Sequence, residues 1–422
     1  MSHVAPSTAT GRVPLTRNVI GVEGGDETRA TTKWPGVGHF VTFAFAVGAC
    51  GDNTVPIGPP LEHSATLFLG AHDDDDFIFM EPDLVASLAG SSSTTIYATT
   101  AGPHGPNLNL MDAAKVAYGS TVGSFEWECG SISIGTLVAE HCRLRDRPVS
   151  IVDLGLPDGG IPGDRKESLL HLIDGSIGKL DGYFGGSVDA DSVTEVFAEI
   201  YKATTPDSVQ TLELAGSHGR DHSSHMFVGS IGLWAAARVA YTGPITWNRG
   251  YNVDAEMPTL DGAALRDARK LLGYYEACAD QCGPCGESCA TLNASHESWI
   301  ARQYQTTRVP EASGTLAQGD SCLDATLALG ECTNAAHFDL SPTGTLRVAD
   351  QCVTSAATDD LSLAPCTGAP EQFWVLDSEG AVWNGRLPQH AVNMTYDHTR
   401  CLAGSRAPIC GATFEAHWML GP

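Results

Sequence analysis

Two short polar runs in this chain hold residues that could do chemistry. The first, Ala71-His-Asp-Asp-Asp-Asp76, sets a histidine and four aspartates between the apolar stretches Leu67–Leu69 and Phe77–Met80. At an effective dielectric near 20, two like charges about 4 Å apart repel by roughly 4 kcal/mol, so such a run calls for a cation. Most charge runs are solvated turns. Here both flanks look like core, which favours a metal site. The second run, Ser217-His-Gly-Arg-Asp-His-Ser-Ser-His225, carries His218, His222 and His225 ahead of an apolar helix expected over Met226–Val239. Histidine at that density is a ligand signal. Imidazole together with carboxylate suits zinc, with three protein ligands leaving one position for water.

The elements around these runs read as an alternation. Strands are expected at Ser64–Leu69, Thr94–Thr99, Pro148–Leu154 and Ser208–Leu214. Between them, helices are expected at Asp83–Ala89, Asn109–Tyr118, Ser168–Ile173 and Ser192–Ala203. The last of these puts Val193, Val196, Phe197, Ile200 and Tyr201 on one stripe. This order is that of an α/β domain with a mostly parallel, helix-covered sheet. Ligands in such sheets gather beyond the carboxyl ends of strands, where both polar runs fall.

The two runs resemble the metal motifs of the PIG-L/LmbE family of zinc-dependent N-acetylglucosaminyl deacetylases. Ala71–Asp76 is similar to its AHPDDE signature and Asp221-His-Ser-Ser-His225 to its H-x-D-H element. Tyr97–Gly102 and Leu156-Pro-Asp-Gly159 look like its second strand and later loop. The resemblance covers residues 62–305 and implies a Rossmann-like sheet. It implies that His72, Asp75 and His225 hold zinc, that Asp74 is the general base, and that His222 assists the tetrahedral intermediate or protonates the leaving amine. The pattern departs at Asp73 (proline in the family), Asp76 (glutamate) and Ser224 (aspartate). Asp221 could take over the orienting work of the missing aspartate. An alternative register would make His222 the ligand, and His218 and His104 are reserves.

Residues 306–318 read as a linker, where the composition shifts to Thr, Arg, Pro, Ala, Ser and Gly. Beyond it come three imperfect repeats: Cys322/Cys332 with Phe338, Cys352/Cys366 with Trp374, and Cys401/Cys410 with Trp418. They resemble a ricin-B-type β-trefoil over 319–422. Gln372-Phe-Trp374 matches its Gln-x-Trp motif. Cys322-Leu-Asp324 keeps its sugar-binding aspartate, which makes Asp324 with Asn334 the candidate sugar site. The three aromatics are expected in the core. Cys278, Cys282, Cys285 and Cys289 are expected to form two disulfides in preference to a zinc cluster.

Ahead of all this, Val37–Val47 is an apolar run behind Lys33, as in an export signal. Its ending, Val47-Gly-Ala-Cys50, resembles a bacterial lipobox, which would make Cys50 a lipidated N-terminus. Residues 1–61 are thus signal and tether, and the protein is expected to be secreted or a surface lipoprotein whose contact with a membrane runs through that anchor. A net charge of −26 argues against nucleic acid and anionic membranes as partners. The expected activity is zinc-dependent removal of acetyl from an N-acetylated amino sugar, with a glycan also bound by the trefoil. The alternatives are a carbohydrate-binding protein with a residual metal site, and an amidase on a non-sugar acyl amide.

Overall fold

The computed structural model describes residues 57–102, 105, 106, 108–161, 163–214, 221–279, 282–355, 358–384, 400–408 and 417–421. The export signal, Cys50, His104, His218 and Cys410 lie outside them.

The first strand, β1 (Thr66–Gly70), is buried along nearly its whole length, as are β2 (Ser93–Tyr97) and β5 (Val149–Asp153). Strands covered on both faces need helices on both faces, and parallel pairing supplies them through crossovers. Two antiparallel strands, β3 (Trp127–Ile134) and β4 (Leu137–Leu144), form a hairpin before β5. After β5 come β6 (Ser208–Leu212), β7 (Ile245–Asn248) and β8 (Gln305–Thr307). The sheet runs β8-β7-β6-β1-β2-β5-β4-β3. Its five central strands are parallel and its edge strands antiparallel. Strand order therefore reverses between β1 and β6, and such a reversal opens a crevice at the carboxyl ends of those two strands.

The helices form two groups. On one side pack α1 (Asp75–Phe79), α2 (Asp83–Gly90), α3 (Leu108–Val122), α7 (Gly262–Cys278) and α8 (Ala294–Ile300); on the other, α4 (Leu169–Ile173), α5 (Ala190–Thr204) and α6 (Ser223–Arg238). Helix α5 opens on a capping box, with Asp189 accepting from Ser192 N–H and the Ser192 hydroxyl accepting from Asp189 N–H. Helix α6 begins three residues earlier than the apolar pattern suggests. Its N-cap is His222, whose Nδ1 accepts from Ser224 N–H. This puts His225 in the first turn of the helix.

The expected linker is not one. Thr306 and Thr307 belong to β8, which pairs with β7 at the sheet edge. Ala312–Gln318 is the first strand of the C-terminal region, pairing with His337–Leu340 and Met419–Gly421. Between them Arg308 donates to the carbonyls of Tyr241 and Gly243. β-branched threonines pair readily at an edge, so composition alone misled. Thr54–Pro422 form one compact unit with two hydrophobic cores.

The C-terminal core is all antiparallel β. Phe338, Trp374 and Trp418 are buried in it, as expected. Trp374 Nε1 donates to the Val353 carbonyl at 2.8 Å and Trp418 Nε1 to that of Leu402 at 2.7 Å. Each acceptor directly follows the first cysteine of its repeat. In the first repeat, where phenylalanine has no N–H, Ala336 N–H takes the matching Leu323 carbonyl. The second and third repeats thus share an indole bond, and in all three the carbonyl after the first cysteine is taken.

Five disulfides join Cys129–Cys142, Cys278–Cys285, Cys282–Cys289, Cys322–Cys332 and Cys352–Cys366. Cys401 is disulfide-bonded as well. Bridges at this density belong to an oxidising, extracellular setting. No helix among the described residues is long and apolar enough to cross a membrane.

Candidate metal centre

Three segments that follow parallel strands converge at the crevice. His72 and the aspartates follow β1, Asp158 follows β5, and Asp221–His225 follow β6 at the start of α6. Asp75 starts α1 and is wholly buried. Its Oδ2 accepts from Ala71 N–H at 2.7 Å and His72 N–H at 2.8 Å. No N–H is aligned to donate squarely to its Oδ1. That atom lies 3.0 Å from His225 Nε2 and 3.5 Å from His72 Nδ1. The two nitrogens are 3.2 Å apart. Atoms bonded at about 2.1 Å to one tetrahedral ion sit about 3.4 Å from each other, so these three form a face of the right size. A buried carboxylate oxygen without a hydrogen bond is expensive to leave so, and a cation beyond that face would satisfy it.

Two further carboxylates set the rings. His225 Nδ1 donates to Asp221 Oδ1 at 2.9 Å, which turns the Nε2 lone pair toward Asp75. His72 Nε2 faces Asp158 Oδ1 at 3.4 Å, which turns its Nδ1 the same way. Metal-binding histidines commonly have such partners. Asp221 Oδ1 is itself held by the backbone N–H groups of His222 at 2.7 Å and Tyr251 at 3.0 Å. Aromatic rings close the inner side. Tyr251 lies 5.0 Å from the His225 ring and stacks on Trp299 at 4.7 Å, with Phe79 5.8 Å from His225.

The electrostatics favour positive charge at this point. Burial opposes a charged His225, yet Asp75 and Asp221 hold it up to about 9. His72 is likewise raised well above an ordinary histidine, against burial, chiefly by Asp75 and Asp158. Burial also works against the Asp75 anion, but His225 and His72 hold its carboxyl well below the usual range. A metal ion would compete with protons for the same lone pairs. The donor set of two imidazoles and one carboxylate fits zinc.

Above this face lies a cleft of about 380 Å³, lined by Asp74, Thr99, Leu110, Asp158, His222 and Tyr251 among others. Asp74 sits at the start of α1 without capping it. Burial, and then Asp75, raise its carboxyl, with His72 opposing. His222 has its Nδ1 committed to Ser224 N–H, so its ring proton is on Nε2, 3.6 Å from Asp158 Oδ1. Burial, His72 and His225 push its pKa down to about 2, so the ring is neutral.

The four aspartates separate by neighbours. Asp76 turns into the core, where Tyr97 donates to it at 3.1 Å and Tyr118 closes a second contact. Burial, tempered by those phenols, brings its pKa to about 7. Asp73 is buried at the cleft wall, and burial and Asp74 raise it. In the sequence Asp158 stands out only within the loop Leu156–Gly159, and Tyr251 not at all. A polar residue just past a parallel strand was the available signal for Asp158; Tyr251, in a 3-10 turn after β7, offered none. The sugar candidates lie apart from this site. Asp324 is half-buried and its Oδ1 accepts from Thr326 N–H, the Thr326 hydroxyl and Ala328 N–H at 2.7, 2.7 and 3.0 Å. Asn334 ends an exposed 3-10 turn, and no hydrogen bond links the two among the described residues.

The chain matches no known family profile, and no curated protein matches it. Among solved structures it is similar to the β-trefoil lectin of the Vibrio vulnificus hemolysin/cytolysin, crystallised with N-acetyl-D-lactosamine bound. The identity is 19% and the TM-score 0.18, over 26% of this chain and 94% of that one. What the crevice can do therefore rests on its own geometry.

Proposed function

We propose that this protein is an exported, zinc-dependent hydrolase that removes acetyl from an N-acetylated amino sugar. The observation that carries the reading is the face formed by His72 Nδ1, Asp75 Oδ1 and His225 Nε2, with its unbonded buried oxygen, beneath a cleft holding Asp74 and His222. Zinc held by His72, Asp75 and His225 would supply Lewis acidity toward the amide carbonyl and make water nucleophilic near neutral pH. Asp74, whose raised carboxyl stands free at the cleft, takes the proton from water and returns it to the departing amine. His222 is neutral with its proton on Nε2, so it donates a hydrogen bond to the oxygen that gains charge. Between the two roles offered for His222 by the motif resemblance, this favours stabilising the intermediate. Water adds to the carbonyl carbon, the C–N bond breaks, and acetate and a free amine leave.

In this reading the α/β region is a Rossmann-like domain of the PIG-L/LmbE kind and the C-terminal region a β-trefoil. Its repeated bonds from Trp374 and Trp418 support the latter. A glycan on the trefoil would meet Asp324 Oδ2 and Asn334. A lipid on Cys50 would tether the whole to a bacterial surface. The test is acetate release from a panel of N-acetylated chitooligosaccharides. Asp74→Asn should lower it by about 10²–10⁴-fold while the metal stays bound; full activity in that variant contradicts the mechanism. Glycan binding without acetate from any substrate would favour a carbohydrate-binding protein. Acyl release from non-sugar amides alone would favour an amidase.

A further inference from the structure

Beside the cleft stands an aromatic ring that nothing so far uses. Leu180–Asp181 and Ser187–Val188 form a short hairpin, and Tyr183 and Phe184 are its tip, between Gly182 and Gly185, whose N–H returns to the Gly182 carbonyl at 3.1 Å. The tip is pinned at the carboxyl end of β5 by Tyr183 N–H donating to the Gly155 carbonyl at 2.9 Å. Phe184 covers Gly155, and Tyr183 lies on Gly105. A Cβ at Gly105 would collide with Tyr183 Cε2, Cδ2 and Cζ, so only glycine lets the ring lie there. Gly105 itself lines the cleft with His72, Asp74 and Asp158.

The Cδ2–Cε2–Cζ side of the ring is thus seated on Gly105 while 54% of the residue remains in solvent. The Tyr183 hydroxyl makes no hydrogen bond among the described residues. An exposed aromatic ring on a pinned turn next to a polar cleft suits a ligand with a flat C–H face and hydroxyls round its edge, which is a pyranose ring. Such a ring would sit next to the one whose amide is over Asp74 and His222.

Resting on the deacetylase reading, we infer that Tyr183 is a stacking platform for the neighbouring sugar, and that the substrate is therefore an oligosaccharide and not a free monosaccharide. The test compares kcat/KM for acetate release from N-acetylglucosamine and from its acetylated trimer, in wild type, Tyr183→Ala and Tyr183→Phe, alongside trimer binding to each by calorimetry. The trimer should be preferred, and Tyr183→Ala should reduce the trimer-to-monomer ratio about tenfold. Tyr183→Phe should keep it, since stacking needs the ring and not the hydroxyl. Equal efficiency on trimer and monomer in wild type overturns the platform and leaves the deacetylase reading intact. So does an Ala variant that loses both substrates equally, which would make Tyr183 a mere prop for Gly105. Trimer binding that depends on Tyr183 without any acetate release supports the platform and overturns the deacetylase. Neither binding nor release overturns both.

Discussion

Asp75 and Asp324 are both aspartates singled out by sequence motifs, and their surroundings are opposite. Asp75 is fully buried, two backbone N–H groups hold one oxygen, and the other faces two imidazole nitrogens. Asp324 is half-buried at the surface, and three local donors take its Oδ1 in a turn. A turn aspartate that satisfies its own backbone has a structural reason to be there. A buried oxygen left unsatisfied has none, unless something binds it. Glu81 also buries unbonded carboxylate oxygens, so what sets Asp75 apart is the pair of imidazole nitrogens that face its Oδ1.

The sharpest way to break that contrast is His225→Ala. Removing a ligand should cost more than the 10–100-fold in metal affinity typical of outer partners. Added zinc, which at 100 times its Kd should stabilise the wild type by about 2.7 kcal/mol, should leave the variant's melting temperature unmoved. Equal stabilisation of both would place the metal elsewhere. Next in size is Asp221→Asn, which keeps the shape but weakens the acceptor behind His225. A fall of about 10–100-fold in zinc affinity is expected by competition with a chelator, and no change would make Asp221 a spectator.

A smaller effect concerns Asp76, buried like Asp75 but satisfied by phenols. Its folded pKa of about 7 lies above its ordinary 3.8. The unfolded chain releases this proton first, so the wild type loses stability as pH rises from about 4 to about 7. Asp76→Asn does not titrate, so its melting temperature relative to wild type should climb across that window. A constant gap would show that Asp76 titrates normally. Asp324→Ala should do least: metal content and acetate release hold, and glycan retention falls by less than about tenfold, since only one oxygen is open. Complete loss of glycan retention in a folded variant would put the two regions on an equal footing.

Much of the site was legible because chemistry and local order coincide there. His72 and Asp75 follow a strongly apolar strand, and His222 and His225 open an apolar helix, so both halves announced their positions. Their partners were not legible. Asp158 meets His72 from 86 positions away, a contact that depends on β5 lying two strands from β1 in the sheet. Nor could the run itself say that Asp76 turns toward Tyr97 and Tyr118, since that depends on the helical turn begun at Asp75. The outer strand β3 went unread because it is only partly buried along most of its length. The supposed linker shows the converse error: threonines that look flexible by composition complete a sheet edge.

The central claim is that one cation binds where three donor atoms of His72, Asp75 and His225 already face each other. The most direct measurement is a crystallographic anomalous difference map at the zinc edge, on protein purified without chelator. The account predicts a single strong peak bounded by His72 Nδ1, Asp75 Oδ1 and His225 Nε2. A peak held by His222 in place of His225, or no peak with zinc in excess, would contradict it.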